Sequence, residues 1–227
     1  AGVGKHTDLL RIMAYDYSVG SPGPIAPLGW VEKVAAFAPT QLPGSKVQLG
    51  IPVYGRNWFT GKTGKCPVGQ EIKTSNYSMT AGNALTSLAG DGVSPNQISR
   101  DASSGEMSVS YSITYKGLDA KGEKTQCVVS RRAFFADAKS VADRVRVARA
   151  AGLAGAALWT IGGESADQWP AVRDAVGVQK DKPAARKGAN VKIGAPRFVT
   201  RGQAGSFSAR VTVDGKPTGG GKVRLES

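Results

Sequence analysis

Three short stretches of this 227-residue chain carry side chains that could do chemistry together. Tyr15 and Asp16 follow one apolar run, Tyr54 and Arg56 flank Gly55 after a second, and Trp159 closes a third. Tyr and Trp offer flat apolar faces to the C–H face of a pyranose, with polar edges for its hydroxyls. Asp16 and Arg56 can add charge-assisted hydrogen bonds to sugar oxygens. Each residue also has a plainer use. Trp159 could close a core, Tyr15 and Asp16 could form a structural hydrogen-bonded pair, and Arg56 could sit in a surface salt bridge. Trp58 could extend a cleft or pack the segment that follows it. Glu164 stands in a Gly-rich turn after Gly162 and Gly163, which suits a structural or rim carboxylate better than a proton donor.

Composition narrows the partners. No apolar run approaches the ~18 residues needed to cross a bilayer, so no membrane partner is expected. Of the net charge of +13, +8 falls after residue 179. A basic tail of this kind suits a solvated linker and module surface, or attraction towards an anionic wall polymer. Without a recognition helix, an RNA-binding aromatic signature or zinc-finger spacing, nucleic acid is not expected. Cys66 and Cys127 are too few and too far apart for a zinc site, and neither a metal nor a cofactor is expected. They stand at opposite ends of one segment, where a disulfide fits an exported protein; two unrelated buried thiols are the other reading. His6, the single histidine, lies in a polar stretch and reads as a surface residue.

The elements that must position these residues follow a βα rhythm. Residues 9–15 (LLRIMAY) form an apolar run without helical caps, which predicts a buried strand. After a Gly- and Pro-rich loop, Trp30, Val34, Phe37 and Ala38 recur at helical spacing, and Pro39 should end that helix. Val47, Leu49 and Ile51 open a second strand, stopped by Pro52 and the Tyr54-Gly55-Arg56 turn. Strand, helix and strand in so short a span make a βαβ unit, hence parallel strands. The rhythm resumes late in the chain. Asp137 can cap a helix with Val141, Val145 and Ala148 inward and Gly152 beyond its end. Residues 154–159 make a third buried strand. A last helix starts at Asp167 with Pro170 in its first turn, and Trp169, Val172 and Val176 give it a buried side.

Between these parts, residues 58–132 are rich in Gly, Ser, Thr and Asn. The alternation from Val109 to Tyr115 suits an antiparallel, half-exposed hairpin or small sheet. Residues 177–190, rich in Lys, Ala and Pro, read as a linker. Residues 191–227 then open a β module, with Phe207, Ala209, Val211 and Val213 alternating up to an Asp214-Gly215 turn. That stretch is too short for a sandwich of roughly 100 residues. The first methionine, Met13, falls inside an apolar run and no signal peptide opens the chain, so the sequence reads as cut at both ends.

The order of these strand ends resembles family 18 of the glycoside hydrolases, the chitinase-like barrels, over about residues 8–176. Met13-Ala14-Tyr15-Asp16-Tyr17 resembles the sixth barrel strand, where a Met-x-Tyr-Asp motif faces the sugar. Residues 50–56 (GIPVYGR) resemble the seventh, and residues 157–164 (ALWTIGGE) the eighth, whose Trp floors a sugar subsite. The segment 58–132 matches the α+β insertion that many members carry between strands seven and eight. The resemblance implies an α/β fold: the last three strands of a (β/α)8 TIM barrel across residues 1–176, an insertion domain, then a truncated immunoglobulin-like segment. It implies hydrolysis of β-1,4-linked N-acetylglucosamine polymers, chitin or wall glycan, with the substrate acetamido group as nucleophile and retention of configuration. Tyr15 and Asp16 become catalytic-site residues, and Met13, Tyr54, Arg56 and Trp159 substrate-binding ones. The family's acid is the Glu of a D-x-x-D-x-D-x-E motif on strand four, and no such run occurs in this sequence. These residues alone are therefore expected to be inactive, in a protein that is secreted or wall-associated. The alternative is a lectin-like or wall-anchoring protein that binds the glycan without cleaving it.

Overall fold

A computed structural model describes residues 2–177 together with strands at 189–194, 208–213 and 216–217. The chain divides into two compact units, Ala1–Gln179 and Lys180–Ser227. In the first, β1 (Leu10–Ile12) leads through α1 (Leu28–Gln41) to β2 (Val47–Pro52). β3 (Tyr54–Gly64), β4 (Tyr77–Thr80), the short α2 (Ala84–Gly90), β5 (Ser99–Arg100), β6 (Met107–Leu118) and β7 (Lys124–Phe135) follow. α3 (Ala138–Ala150), β8 (Gly155–Trp159) and α4 (Gln168–Val176) complete it.

Two sheets result. The parallel sheet has the order β1-β2-β8, with Leu10 opposite Val47 and Gln48 opposite Gly155. The antiparallel sheet has the order β4-β3-β7-β6-β5 and takes up every strand between β2 and α3. It runs from Tyr54 to Phe135, wider at both ends than the polar composition marks it.

Burial in the parallel sheet is uneven. Val47, Leu49 and Ile51 of β2 are fully enclosed and pack with Val31 and Ala35 of α1 and Val141, Val145 and Ala148 of α3. The outer strands are not buried as the sequence predicts. β1 keeps only three residues, all partly or fully exposed, and the chain leaves its extended path where the Ala14 N–H turns back to the Ile12 carbonyl. Each outer strand pairs on one side only among the described residues, so less of it is covered.

The helices differ in detail. Pro39 lies inside α1 and does not end it, because the ring removes one ladder bond while the Leu42 N–H still closes on Ala38. Phe37 is 63 % exposed, since the inward face is Val31, Ala35 and Ala38. α4 packs through Gln168, Val172 and Ala175, one position off the expected stripe, leaving Trp169 and Val176 exposed. Asp137 caps α3 by accepting from the Ser140 N–H at 2.9 Å. Asp167 holds the N-cap position of α4 without bonding its N–H groups, accepting instead from Ser165 Oγ.

In the second unit β9 (Ala189–Gly194), β10 (Ser208–Val213) and β11 (Lys216–Pro217) form an antiparallel sheet in the order β11-β10-β9. Ala189 and Asn190, the last two residues of the expected linker, are already strand. Phe207, the Asp214-Gly215 turn and the rest of the expected module lie outside the described residues.

Candidate functional site

The site forms where β1 ends and β3 begins. Asp16 has a φ of 59°, in the left-handed region that Asp tolerates better than most residues. Strand alternation then supplies its partners. Tyr54, Arg56 and Trp58 point to one face of β3, whereas Gly55 and Asn57 point to the other, where Met79, Ala133 and Phe135 pack under α2. The Tyr54 hydroxyl donates to Asp16 Oδ1 at 2.5 Å, and Arg56 Nη2 donates to the same oxygen at 2.7 Å. Burial alone would raise the Asp16 pKa. The two hydrogen bonds and the Arg56 charge outweigh it and hold the carboxyl below its ordinary value. Asp16 is thus an ionised acceptor at neutral pH, unsuited to donate a proton. Burial and the bond to Asp16 push the Tyr54 phenol well up, so it stays a donor.

Tyr15 stands beside this group, its ring edge-on to Tyr54 with centroids 6.3 Å apart. Gly50 of β2 makes room for it: a Cβ there would lie 2.9 Å from the Tyr15 ring and 2.6 Å from the Ile12 carbonyl. The Tyr15 hydroxyl bonds no other group among the described residues, and burial followed by the Asp16 charge raises its pKa. It is a free donor at the rim. Met13 is 73 % exposed. Trp159 ends β8 opposite Pro52, its carbonyl accepting from the Val53 N–H at 2.7 Å. Its side chain is 57 % exposed, which excludes a core role. It shares the sheet end with Tyr15 and Asp16, although no hydrogen bond or ring contact joins it to them.

Trp58 does not extend the cleft. It is 1 % exposed, packs with Ile25 and Phe134, and its indole N–H donates to the Val19 carbonyl at 2.9 Å. This ties the loop after Asp16 to the antiparallel sheet. A buried ion pair fixes the other end of that loop. Glu106 accepts from the Ile25 and Ala26 N–H groups at 2.8 and 2.7 Å and from Arg144 of α3 at 3.0 Å. Burial pushes the Glu106 carboxyl up and Arg144 pulls it back. Every contact to it is a donor, so the ionised form is the one the site fits. Sequence reading missed this pair. The signal was Arg144, an arginine among Val141, Val145 and Ala148 on an inward helix face. Among the described residues no group of His, Cys, Asp and Glu side chains converges as metal ligands would.

A family model for glycosyl hydrolases family 18 matches residues 1–164. The chain belongs to family 18. Similar proteins include the uncharacterized glycosylase YvbX of Bacillus subtilis (strain 168), 26% identical over 177 residues, which cover 76% of this chain and 44% of that protein. A cortical fragment-lytic enzyme of the same organism is 26% identical over 184 residues, covering 78% of this chain and 36% of the relative. The chain thus spans less than half the length of these curated relatives. Among solved structures, a chitinase from Chromobacterium violaceum ATCC 12472 aligns with a TM-score of 0.56 at 25% identity, covering 77% of this chain and 47% of that one. In this family 18 chain the mixed α/β fold carries Tyr15, Asp16, Tyr54 and Arg56 as one cluster, with Trp159 and Met13 exposed. Cys66 and Cys127 form a disulfide with Cα atoms 4.6 Å apart, closing the β3–β4 connection onto β7.

Proposed function

We propose that this chain supplies the sugar-binding half of a glycosidase acting on β-1,4-linked N-acetylglucosamine polymers. The observation that carries the reading is the Asp16–Tyr54–Arg56 cluster at the end of the parallel sheet, with the free Tyr15 hydroxyl beside it and the exposed Trp159 ring at the same end. β1, β2 and β8 are the last three strands of a (β/α)8 barrel, the antiparallel sheet is an insertion between the seventh and eighth, and β9–β11 open an immunoglobulin-like module. Trp159 takes the apolar face of a pyranose, and ionised Asp16, with Arg56, binds its hydroxyls.

In this reading the Tyr15 hydroxyl donates to the substrate acetamido oxygen and orients it towards the anomeric carbon, where it serves as the nucleophile of a retaining reaction. The proton for the leaving oxygen comes from an acid outside these residues, since Asp16 is held ionised. The disulfide suits an oxidising compartment, and the protein is secreted or wall-associated. The test is to incubate the purified chain with N-acetylchitooligosaccharides. Binding without turnover is expected. Hydrolysis by this chain alone would overturn the assignment of the acid, and absence of binding would overturn the site.

A further inference from the structure

Next to the Asp16 cluster, on the same face near the start of β3, a pocket of about 170 Å³ is lined by Val19, Arg56, Trp58, Asn76, Tyr77 and Ser78. Its polar lining is made largely of donors. Arg56 commits Nη2 to Asp16 and has further guanidinium N–H groups to offer. Asn76 uses Oδ1 to accept from the Phe59 N–H at 2.8 Å, which fixes the amide and leaves its NH2 group over. Ser78, exposed, stands opposite Arg56 in the β3–β4 register and so shares its face. No carboxylate side chain lines the pocket.

A cavity whose lining offers several donors and no carboxylate, beside an Arg56 that Asp16 engages through one nitrogen, can hold an anionic ligand group, which accepts hydrogen bonds on both oxygens. A homopolymer of N-acetylglucosamine carries only neutral hydroxyl and acetamido groups. We infer that this pocket takes a carboxylate-bearing substituent of an N-acetylated glycan, of the kind that a muramic acid unit carries on its lactyl ether. The polymer is then a wall glycan, not chitin. The inference rests on reading the Asp16 cluster as a sugar site, and it assigns Asn76 and Ser78 to specificity.

The test is calorimetric or NMR titration of the whole chain with three disaccharides: diacetylchitobiose, N-acetylglucosaminyl-N-acetylmuramic acid, and the latter with its carboxyl reduced to an alcohol. The acid should bind at least about tenfold more tightly than either neutral sugar, as charge-assisted bonds require. N76D keeps the acceptor for the Phe59 N–H but replaces a donor by a negative charge, and should abolish that preference. A hyaluronan disaccharide, with its carboxylate fixed on the ring, should bind more weakly than the muramic acid; tighter binding would overturn the lactyl assignment. Equal affinity for the acid and the neutral sugars, or a preference that survives N76D, overturns this inference alone. Failure of every sugar to bind overturns it together with the site.

Discussion

In the parallel sheet only β2 is enclosed, by Val47, Leu49 and Ile51 against two helices, while β1 and β8 beside it stay half exposed. The antiparallel sheet is held differently. Its apolar core of Met79, Leu88, Val109, Ala133 and Phe135 is reinforced by a polar network in which Asn57 accepts from Arg131 and donates to Tyr77 and Tyr111, whose hydroxyls reach Asp91. Arg131 also holds the Lys73 and Ser75 carbonyls, and the disulfide closes the same edge. One region depends on coverage by helices, and the other carries its own fastenings. The candidate site takes Tyr15 and Asp16 from the first and Tyr54 and Arg56 from the second, so its geometry depends on how the two are joined.

The join is where the largest effect is expected. Replacing Arg144 by Met leaves Glu106 buried and unpaired, and should cost about 3–5 kcal/mol in chemical unfolding. The double variant R144M/E106Q, which removes the unpaired charge and keeps an acceptor for the Ile25 or Ala26 N–H, should recover part of this. A single variant that costs no more than a surface change would show that the two regions are not locked through this pair. Next comes the enclosed strand. L49A should cost about 2–5 kcal/mol, and L10A on half-exposed β1 clearly less; equal losses would erase the contrast within the parallel sheet.

The fastenings of the antiparallel sheet rank third. C66S/C127S opens a loop spanning 61 residues in sequence and should cost about 2–4 kcal/mol. Faster amide exchange should be confined to β3, β4 and β7. Exchange that spreads to β2 would mean that the antiparallel sheet supports the parallel one through its own stability. The smallest effect concerns Asp16. Its folded pKa lies below the unfolded value of about 3.9, so its contribution is present above that pH and lost as pH falls through the folded value. Because the pair is partly exposed, solvent screening limits it to about 1 kcal/mol or less. D16N should flatten the acid limb of the stability curve slightly, and an unchanged limb would place the Asp16 bonds outside the stability balance.

The same contrast sorts what the sequence made readable. The parallel strands, the capped α3 and the polar character of the intervening segment follow from period, caps and composition, because each is written in contiguous residues. Strand ends then gave Tyr15, Asp16, Tyr54, Arg56 and Trp159 a common edge. Contacts between distant segments left no such trace. Trp58 bonds a carbonyl 39 residues away and Glu106 two N–H groups about 80 away, so neither role shows in local pattern. The exposure of Phe37, Trp169 and Val176 was missed because apolar spacing fixes a helix face only to within one position.

The proposed sugar site at the strand ends assigns the apolar face of a pyranose to the exposed Trp159 ring, and the exposed Trp169 of α4 provides a matched control. Titration of an N-acetylchitooligosaccharide against the wild-type, W159A and W169A chains tests it directly. The account predicts that W159A weakens binding by at least about tenfold, about 1.4 kcal/mol, while W169A binds as the wild type does. Undiminished binding by W159A, or an equal loss in both variants, would contradict it.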